Sequence, residues 1–357
     1  MINLFYPYIP KKKILKELSG TLSTKWIGQG PKVDIFEKKF AEKMGYKYPL
    51  MVNSATSALE LAYHLLGLKK GDMVVIPVLD AIAGQVGLLR RRCELLFCDI
   101  ERDTLNIDPD FLEKLLRANK VRAVVGVHLG GIHFNQKVYS LCKKYKVPLV
   151  VDSAQHPAPT KGNYICYSFQ AIKHITTADG GMLVLNNKKE YERAKRLRWF
   201  GISRDLKKYN SWEKRESTFD IKEAGYKFQP TDVDACFALA ALPDLDKVIK
   251  YRKGLAIEYR KGLRSVGQVQ VVAGDTYWLL TIIANRRDGL ADYLTKKGIE
   301  NNLVHIRNDL YQIFGAKRQS LPNMDWVESK YLCLPLNTNI NKSDVRFICK
   351  TIKQFYD

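Results

Sequence analysis

Asp152 and Lys173 are the residues whose types and spacing could do chemistry together. Asp152 ends an apolar, β-branched run, Leu149-Val150-Val151, that reads as a buried strand. Residues 164–169 (YICYSF) read as a second strand, and Lys173 stands in the loop after it. An acid at the carboxyl end of one strand and a lysine just past the next meet the needs of pyridoxal phosphate (PLP) chemistry. The amine joins the cofactor aldehyde as a Schiff base. The carboxylate keeps the pyridine nitrogen protonated, so that the ring accepts electrons.

The elements that must position this pair alternate along the chain. Helices are expected at residues 33–44, 57–66, 82–89, 109–118 and 136–144. They interleave with strands at 48–53, 73–77, 94–99, 121–128, 147–152, 163–169 and 181–185. This alternation specifies an α/β fold, a mainly parallel sheet with helices on both faces. Ligands of such sheets lie beyond the carboxyl ends of the strands. Asp152 and the turn at residues 53–56 both fall there. Residues 1–30 read as an extended arm, broken by Pro7, Pro10 and the Gly28-Gln29-Gly30-Pro31 turn. Past residue 243 the pattern changes. A helix at 245–263, strands near 269–273 and 277–285, a helix near 289–297, a polar and aromatic loop at 304–314 and a helix at 342–355 describe a smaller α+β domain. The division expected is therefore residues 1–243 and 244–357.

The chain has 357 residues, 46% of them hydrophobic and 27% charged, which is ordinary for a soluble globular protein. No run is long enough for a membrane span, and residues 1–7 lack a signal-peptide pattern, so a cytoplasmic location is expected. The seven cysteines include no CxxC pair and read as reduced core thiols; no zinc spacing links cysteines and histidines, so no metal is expected. The formal charge of +21 is spread over short clusters such as Lys11–Lys13, Arg90–Arg92, Lys188–Lys189 and Arg193–Arg198, which read as solvated helix faces. With no helix-turn-helix, zinc-finger or RNP-like pattern, nucleic acid is not the expected partner. A multiply anionic small substrate suits the charge equally well.

Seven segments in order resemble the DegT/DnrJ/EryC1/StrS sugar aminotransferases. They are residues 28–36 (GQGPKVDIF), 53–59 (NSATSAL), 99–109 (DIERDTLNIDP), 127–130 (VHLG), 151–155 (VDSAQ), 199–202 (WFGI) and 224–232 (AGYKFQPTD). The run at 168–181 (SFQAIKHITTADGG) resembles the signature around that family's cofactor lysine. The resemblance implies PLP fold type I, with a seven-stranded sheet, and it assigns residues. Lys173 matches the Schiff-base lysine, which also shuttles a proton between the cofactor and the sugar carbon. Asp152 matches the pyridinium partner, and Gln155 the residue that packs against the ring or bonds its 3′-oxygen. His156 reads as a ring neighbour or as a structural histidine. Ala55 and Thr56 lie at a strand-to-helix turn whose backbone amides face the cofactor phosphate, with Thr56 and Ser168 as hydroxyl donors; plain N-capping by Ser54–Ser57 is compatible with that role. Lys227 stands where many relatives have Asn and reach the phosphate in the neighbouring subunit, which implies a homodimer with shared active sites.

Two positions depart from the family. Ala81 stands where relatives stack an aromatic ring on the cofactor, and Asp179 where they often have Glu. Substrate contacts are expected from residues 26–30, 198–204 and 305–311. Gly28, His305 and Arg307 would face the sugar or diphosphate, and Arg204, with Lys207 and Lys208, the diphosphate. The implied reaction moves the amino group of glutamate to a nucleotide-linked 4-keto-6-deoxyhexose, giving a nucleotide-linked amino-dideoxy sugar. The alternatives are amination of a 3-keto sugar, a PLP- or pyridoxamine-dependent sugar dehydratase, and a non-catalytic basic binding protein. Dehydratase relatives carry histidine where this chain has Lys173.

Overall fold

The computed structural model of the chain describes residues 1–203 and 221–357. Its centre is a seven-stranded sheet made of β1 (Tyr48–Val52), β2 (Met73–Pro77), β3 (Glu94–Cys98), β4 (Val121–Val127), β5 (Leu149–Asp152), β6 (Tyr164–Ser168) and β7 (Gly181–Leu185). The order is β1-β7-β6-β5-β4-β2-β3. From β6 to β3 all neighbours are parallel; β7 runs antiparallel to both β6 and β1. The sheet is thus mainly parallel, with one reversed strand.

Strand period sorts the core. Leu50, Val74, Ile76, Val125, Val150 and Leu183 point into one apolar layer. Their chain neighbours Met51, Val75, Val124, Val151 and Met182 point into the other. Burial on both faces explains why these strands read as continuous apolar runs. Helices α3 (Ala55–Leu65), α4 (Ala83–Arg90) and α7 (Lys188–Leu197) cover the first face. Helices α2 (Pro31–Met44), α5 (Pro109–Ala118), α6 (Gln136–Lys144) and α8 (Asp232–Ala241) cover the second.

The remaining elements form a smaller unit. An antiparallel sheet of β8 (Val269–Val271), β9 (Leu280–Ala284) and β10 (Tyr331–Leu334) packs with α9 (Leu245–Leu263), α10 (Arg287–Lys296) and α12 (Lys342–Tyr356). A short helix, α11 (Pro322–Val327), packs instead against the large sheet's core.

Helices α7, α8 and α11 and strand β10 have no counterpart among the expected elements, and two further elements depart from expectation. The N-terminal arm is not extended throughout: Lys11–Thr24 is a helix, α1. Only Ile14 and Thr21 of it are buried, two turns apart on the face toward α8. So narrow an apolar stripe leaves little periodicity to read, and packing on α8 supplies what propensity does not. Strand β9 is also shorter than expected, which leaves Tyr277 and Trp278 in the segment before it. Tyr277 adopts a left-handed φ of 52°, and this twist directs the segment toward the large sheet.

Candidate active site

Strand β5 delivers Asp152 at its carboxyl end, and the loop after β6 delivers Lys173. Asp152 is buried, and its Oδ1 accepts the Ala154 amide at 2.8 Å. Burial raises its carboxyl; the Ala154 amide and the Lys173 ammonium pull it back down. Burial also lowers the Lys173 amine to about 8, against the pull of Asp152 and Asp80. The lysine is thereby brought closer to its nucleophilic form. The next residue, His174, faces elsewhere: it is buried, and its Nε2 lies 3.1 Å from the Thr276 carbonyl. Burial holds it neutral, so Nε2–H donates there.

Two neighbours of this pair carried no assignment in the sequence. Asp80 is buried, with its carboxyl raised by burial and by Asp152. Its oxygens accept from the Ala81 amide at 2.6 Å and from Gln85 Nε2 at 3.3 Å. Trp278, from the smaller unit, lies under the Lys173 amine, 4.0 Å from Nζ to the ring centroid. Its Nε1–H donates to the Ile172 carbonyl at 3.0 Å, and its amide to Gly130. The only signal for Trp278 was an aromatic at the start of a strand, which reads as core. Ala81 itself presents no ring.

An anion cradle sits beside the pair. Ser54 caps α3 by accepting the Ser57 amide at 3.0 Å, and its carbonyl receives Ala58. That leaves the amides of Ala55 and Thr56 with no protein acceptor among the described residues. They form the positive end of a helix of 11 residues. The helix end can reach the sheet only because β7 begins with Gly181. A Cβ there would lie 2.4 Å from the Ser54 carbonyl carbon and 2.6 Å from the Ala55 nitrogen. Asn53 ties the turn to the segment after Lys227, its amide donating to Phe228 at 2.9 Å. Ser168 ends β6, half-buried, and its Oγ accepts the Gln170 amide at 3.3 Å. Free amides at a helix end, an amine kept near neutrality and a buried acid are donors that fit a phosphorylated, cationic aromatic cofactor.

Gln155 joins the two units. Its Oε1 accepts the Gly130 amide at 2.7 Å, which fixes the orientation of the side chain. Its Nε2 then donates to His305 Nε2 at 2.9 Å. Burial and the Lys173 charge lower His305 to about 4, so it is a neutral acceptor. Its ring stacks at 17° on Trp278. His305, expected as a contact to the sugar or diphosphate, thus lies beside the turn that follows Asp152.

Other expected contacts lie elsewhere. Arg307 is buried inside an ion cluster: Nε and Nη2 hold Asp309 at 2.7 and 2.6 Å, Nη1 holds Asp325 at 2.5 Å and Glu328 at 3.3 Å, and Nη2 also reaches the Gln319 carbonyl. So placed it has no donor left for a substrate. Gly28 is exposed, and its carbonyl accepts the Asp232 amide. Asp232 in turn accepts the amides of Gly30, Lys32 and Val33, so this turn is stapled to α8. Lys227 is exposed, with its ammonium 5.0 Å from the Trp199 ring centroid. Arg204, Lys207 and Lys208 lie outside the described residues.

Comparison with known proteins follows this geometry. The family model described as the DegT/DnrJ/EryC1/StrS aminotransferase family matches residues 9–353. Among curated relatives, a GDP-perosamine synthase of Escherichia coli O157:H7 is 28% identical, with 99% of this chain and 98% of that one covered. The solved aminotransferase TlmJ from Streptoalloteichus hindustanus superposes with a TM-score of 0.91 at 27% identity, covering 100% of this chain and 99% of that one. The sugar aminotransferase CalS13 from Micromonospora echinospora gives 0.89 at 26% identity, covering 99% and 100%. The architecture, the lysine and acid at adjacent strand ends and a match over nearly the whole chain agree: this protein is an aminotransferase of the DegT/DnrJ/EryC1/StrS family.

Proposed function

We propose that the protein moves the amino group of glutamate onto a nucleotide-linked 4-keto-6-deoxyhexose, using PLP held on Lys173. The observation that carries this reading is the convergence of the Lys173 amine, the buried Asp152 and the uncommitted amides of Ala55 and Thr56 at one end of the sheet. When bound, the cofactor supplies the electron sink and carries the amino group between the two half-reactions. The residues supply the rest. Lys173, with its amine near 8, is the nucleophile, and when released it is the base that moves a proton at the substrate carbon. Asp152 would regain its charge opposite a ring N–H, because an adjacent cation offsets the cost of burial. Ala55, Thr56 and the α3 dipole would hold the phosphate, with Ser168 adding a hydroxyl. Gln155 and His305 would hold the ring oxygen and the sugar side. Trp278 excludes water from the amine.

The charge of +21 supports a diphosphate-bearing substrate. The relatives point the same way, one described as a sugar aminotransferase and another as a GDP-perosamine synthase. Lys227 is exposed, so its ammonium is available to the phosphate of a second copy, which supports a homodimer of shared sites. Borohydride reduction of the holoprotein followed by peptide mapping tests the cofactor assignment. A pyridoxyl tag on the peptide containing residue 173 is expected, and a tag elsewhere, or none, rejects it. Incubation with glutamate and 3- and 4-keto sugars on UDP, GDP and dTDP tests the substrate, with the aminated product read by mass spectrometry.

A further inference from the structure

His156 is fully buried, yet neither ring nitrogen has a hydrogen-bond partner. A buried imidazole without partners is costly, and such a group in a folded protein calls for an explanation. Its surroundings supply one. His133 lies against it with ring centroids 4.0 Å apart. Asp275 lies against His133: its Oδ2 is 3.1 Å from the ring Nδ1 and accepts the His133 amide at 2.9 Å. One ligand atom from each of His133, His156 and Asp275 can be chosen so that all lie within 4.8 Å of one another.

We propose that these three residues form a metal site for a borderline divalent ion of the zinc type, distinct from the transamination chemistry. Two imidazoles and one carboxylate match the preference of Zn²⁺, whereas calcium and magnesium require oxygen ligands throughout. Burial lowers His156 to about 3, so one ring nitrogen keeps its lone pair at neutral pH. His133 and its backbone amide hold Asp275 ionised. The spacing is wider than the separation of about 3.3 Å between ligands around a tetrahedral ion with arms of 2.0–2.1 Å. His133 is half-buried and Asp275 exposed, so binding an ion requires those two side chains to rotate inward. Solvent on the Asp275 side leaves room for water as fourth ligand.

His128 is close but is not a ligand. Its Nδ1 accepts the Phe134 amide at 3.3 Å, and its Nε2 pairs with Thr160 Oγ1 at 3.0 Å. The backbone around the cluster is already fixed. The Gly131 carbonyl receives the amides of Asp275 and Thr276, and His156 is tied to Ser153 in both directions. A bound ion would therefore staple the acid turn that carries Asp152 and Gln155 to the segment that places Trp278.

The test uses the untagged full-length holoprotein, stripped with chelator and dialysed against micromolar Zn²⁺. One zinc per chain by mass spectrometry is expected, with a raised melting temperature and, on Co²⁺ exchange, the visible bands of a four-coordinate ion. His133→Gln and Asp275→Asn alter partly exposed side chains and should fold. Each should weaken zinc binding at least about tenfold, since one of three protein ligands is lost. A wild-type chain that retains no zinc, or variants that retain as much as wild type, would overturn the site. The metal content is independent of the cofactor tag on Lys173, so failure of one reading leaves the other standing.

Discussion

Lys173 and Arg307 are both buried cations ringed by carboxylates, and they differ in what they have left to give. Arg307 has five donors and at least five contacts, with Asp309, Asp325, Glu328 and the Gln319 carbonyl around it. Lys173 faces Asp152 and Asp80 through electrostatics, with a tryptophan ring under its amine and no hydrogen bond from Nζ among the described residues. A saturated cation is held for structure, and its charge is favoured by its neighbours. An unsaturated one is pushed toward neutrality, and it keeps a lone pair within reach of a ligand. The contrast separates the two more firmly than residue type does, since both are basic residues in loops after a strand or beside one.

The contrast can be broken most directly at Lys173. Lys173→Ala should lower turnover by at least about 10³-fold, since both nucleophile and proton carrier are lost. The melting temperature should not fall, because a desolvated amine is removed. Asp152→Asn comes next, with a loss of about 10²-fold or more in kcat, as a neutral amide no longer favours a protonated ring. A rate within threefold of wild type would remove Asp152 from the mechanism.

At Arg307 the expected damage is of the other kind. Arg307→Met leaves Asp309 buried without its partner, and loss of one member of such a cluster costs about 3–5 kcal/mol of stability. Urea unfolding reads that loss, while kcat/KM per folded molecule should stay near wild type. A tenfold rise in KM for the sugar substrate at unchanged stability would return Arg307 to the substrate site.

The finest test is pH. The neutral amine is the nucleophile, so cofactor uptake by the apoenzyme should rise tenfold per unit below about 8 and level off above it. Free lysine would level off near 10.4. Trp278→Ala admits water, relieves the burial that lowers the amine and should move the midpoint upward. Asp152→Asn removes a charge that raises the amine and should move it downward. A midpoint that ignores both changes would mean that neither side chain tunes the lysine. Stopped-flow absorbance of the apoenzyme mixed with PLP gives all three curves.

Much of this was open to reading. The sheet announced itself because buried parallel strands are unbroken apolar runs; Asp152 followed because its strand ends at it, and Lys173 because it stands in the loop past the next strand. Ala55 and Thr56 were legible from a cap sequence after a strand, and His305 only from the resemblance of the loop at 305–311 to the family's substrate loop. Arg307 misled because its partners lie 2, 18 and 21 residues away, so no local pattern shows that its donors are taken. Trp278 and Asp80 were hidden for the opposite reason. An aromatic at a strand start and an acid after a strand have ordinary structural uses, and only their tertiary approach to Lys173 gives them another. Helix α1 was missed because its contact face is two residues wide.

The stitching of residues 275–278 to Gly130 and Gly131 has a consequence for how a ligand enters. Four hydrogen bonds cross there: three from Asp275 and Thr276 to the Gly131 carbonyl and one from Trp278 to that of Gly130. At Gly131, φ is +80°, and a Cβ would collide with the Tyr277 and Trp278 amides at 2.8 Å, so the two chains touch backbone to backbone. A latch of that kind prevents the units from swinging apart as a clamshell. A ligand must then reach Lys173 while the two units stay joined backbone to backbone.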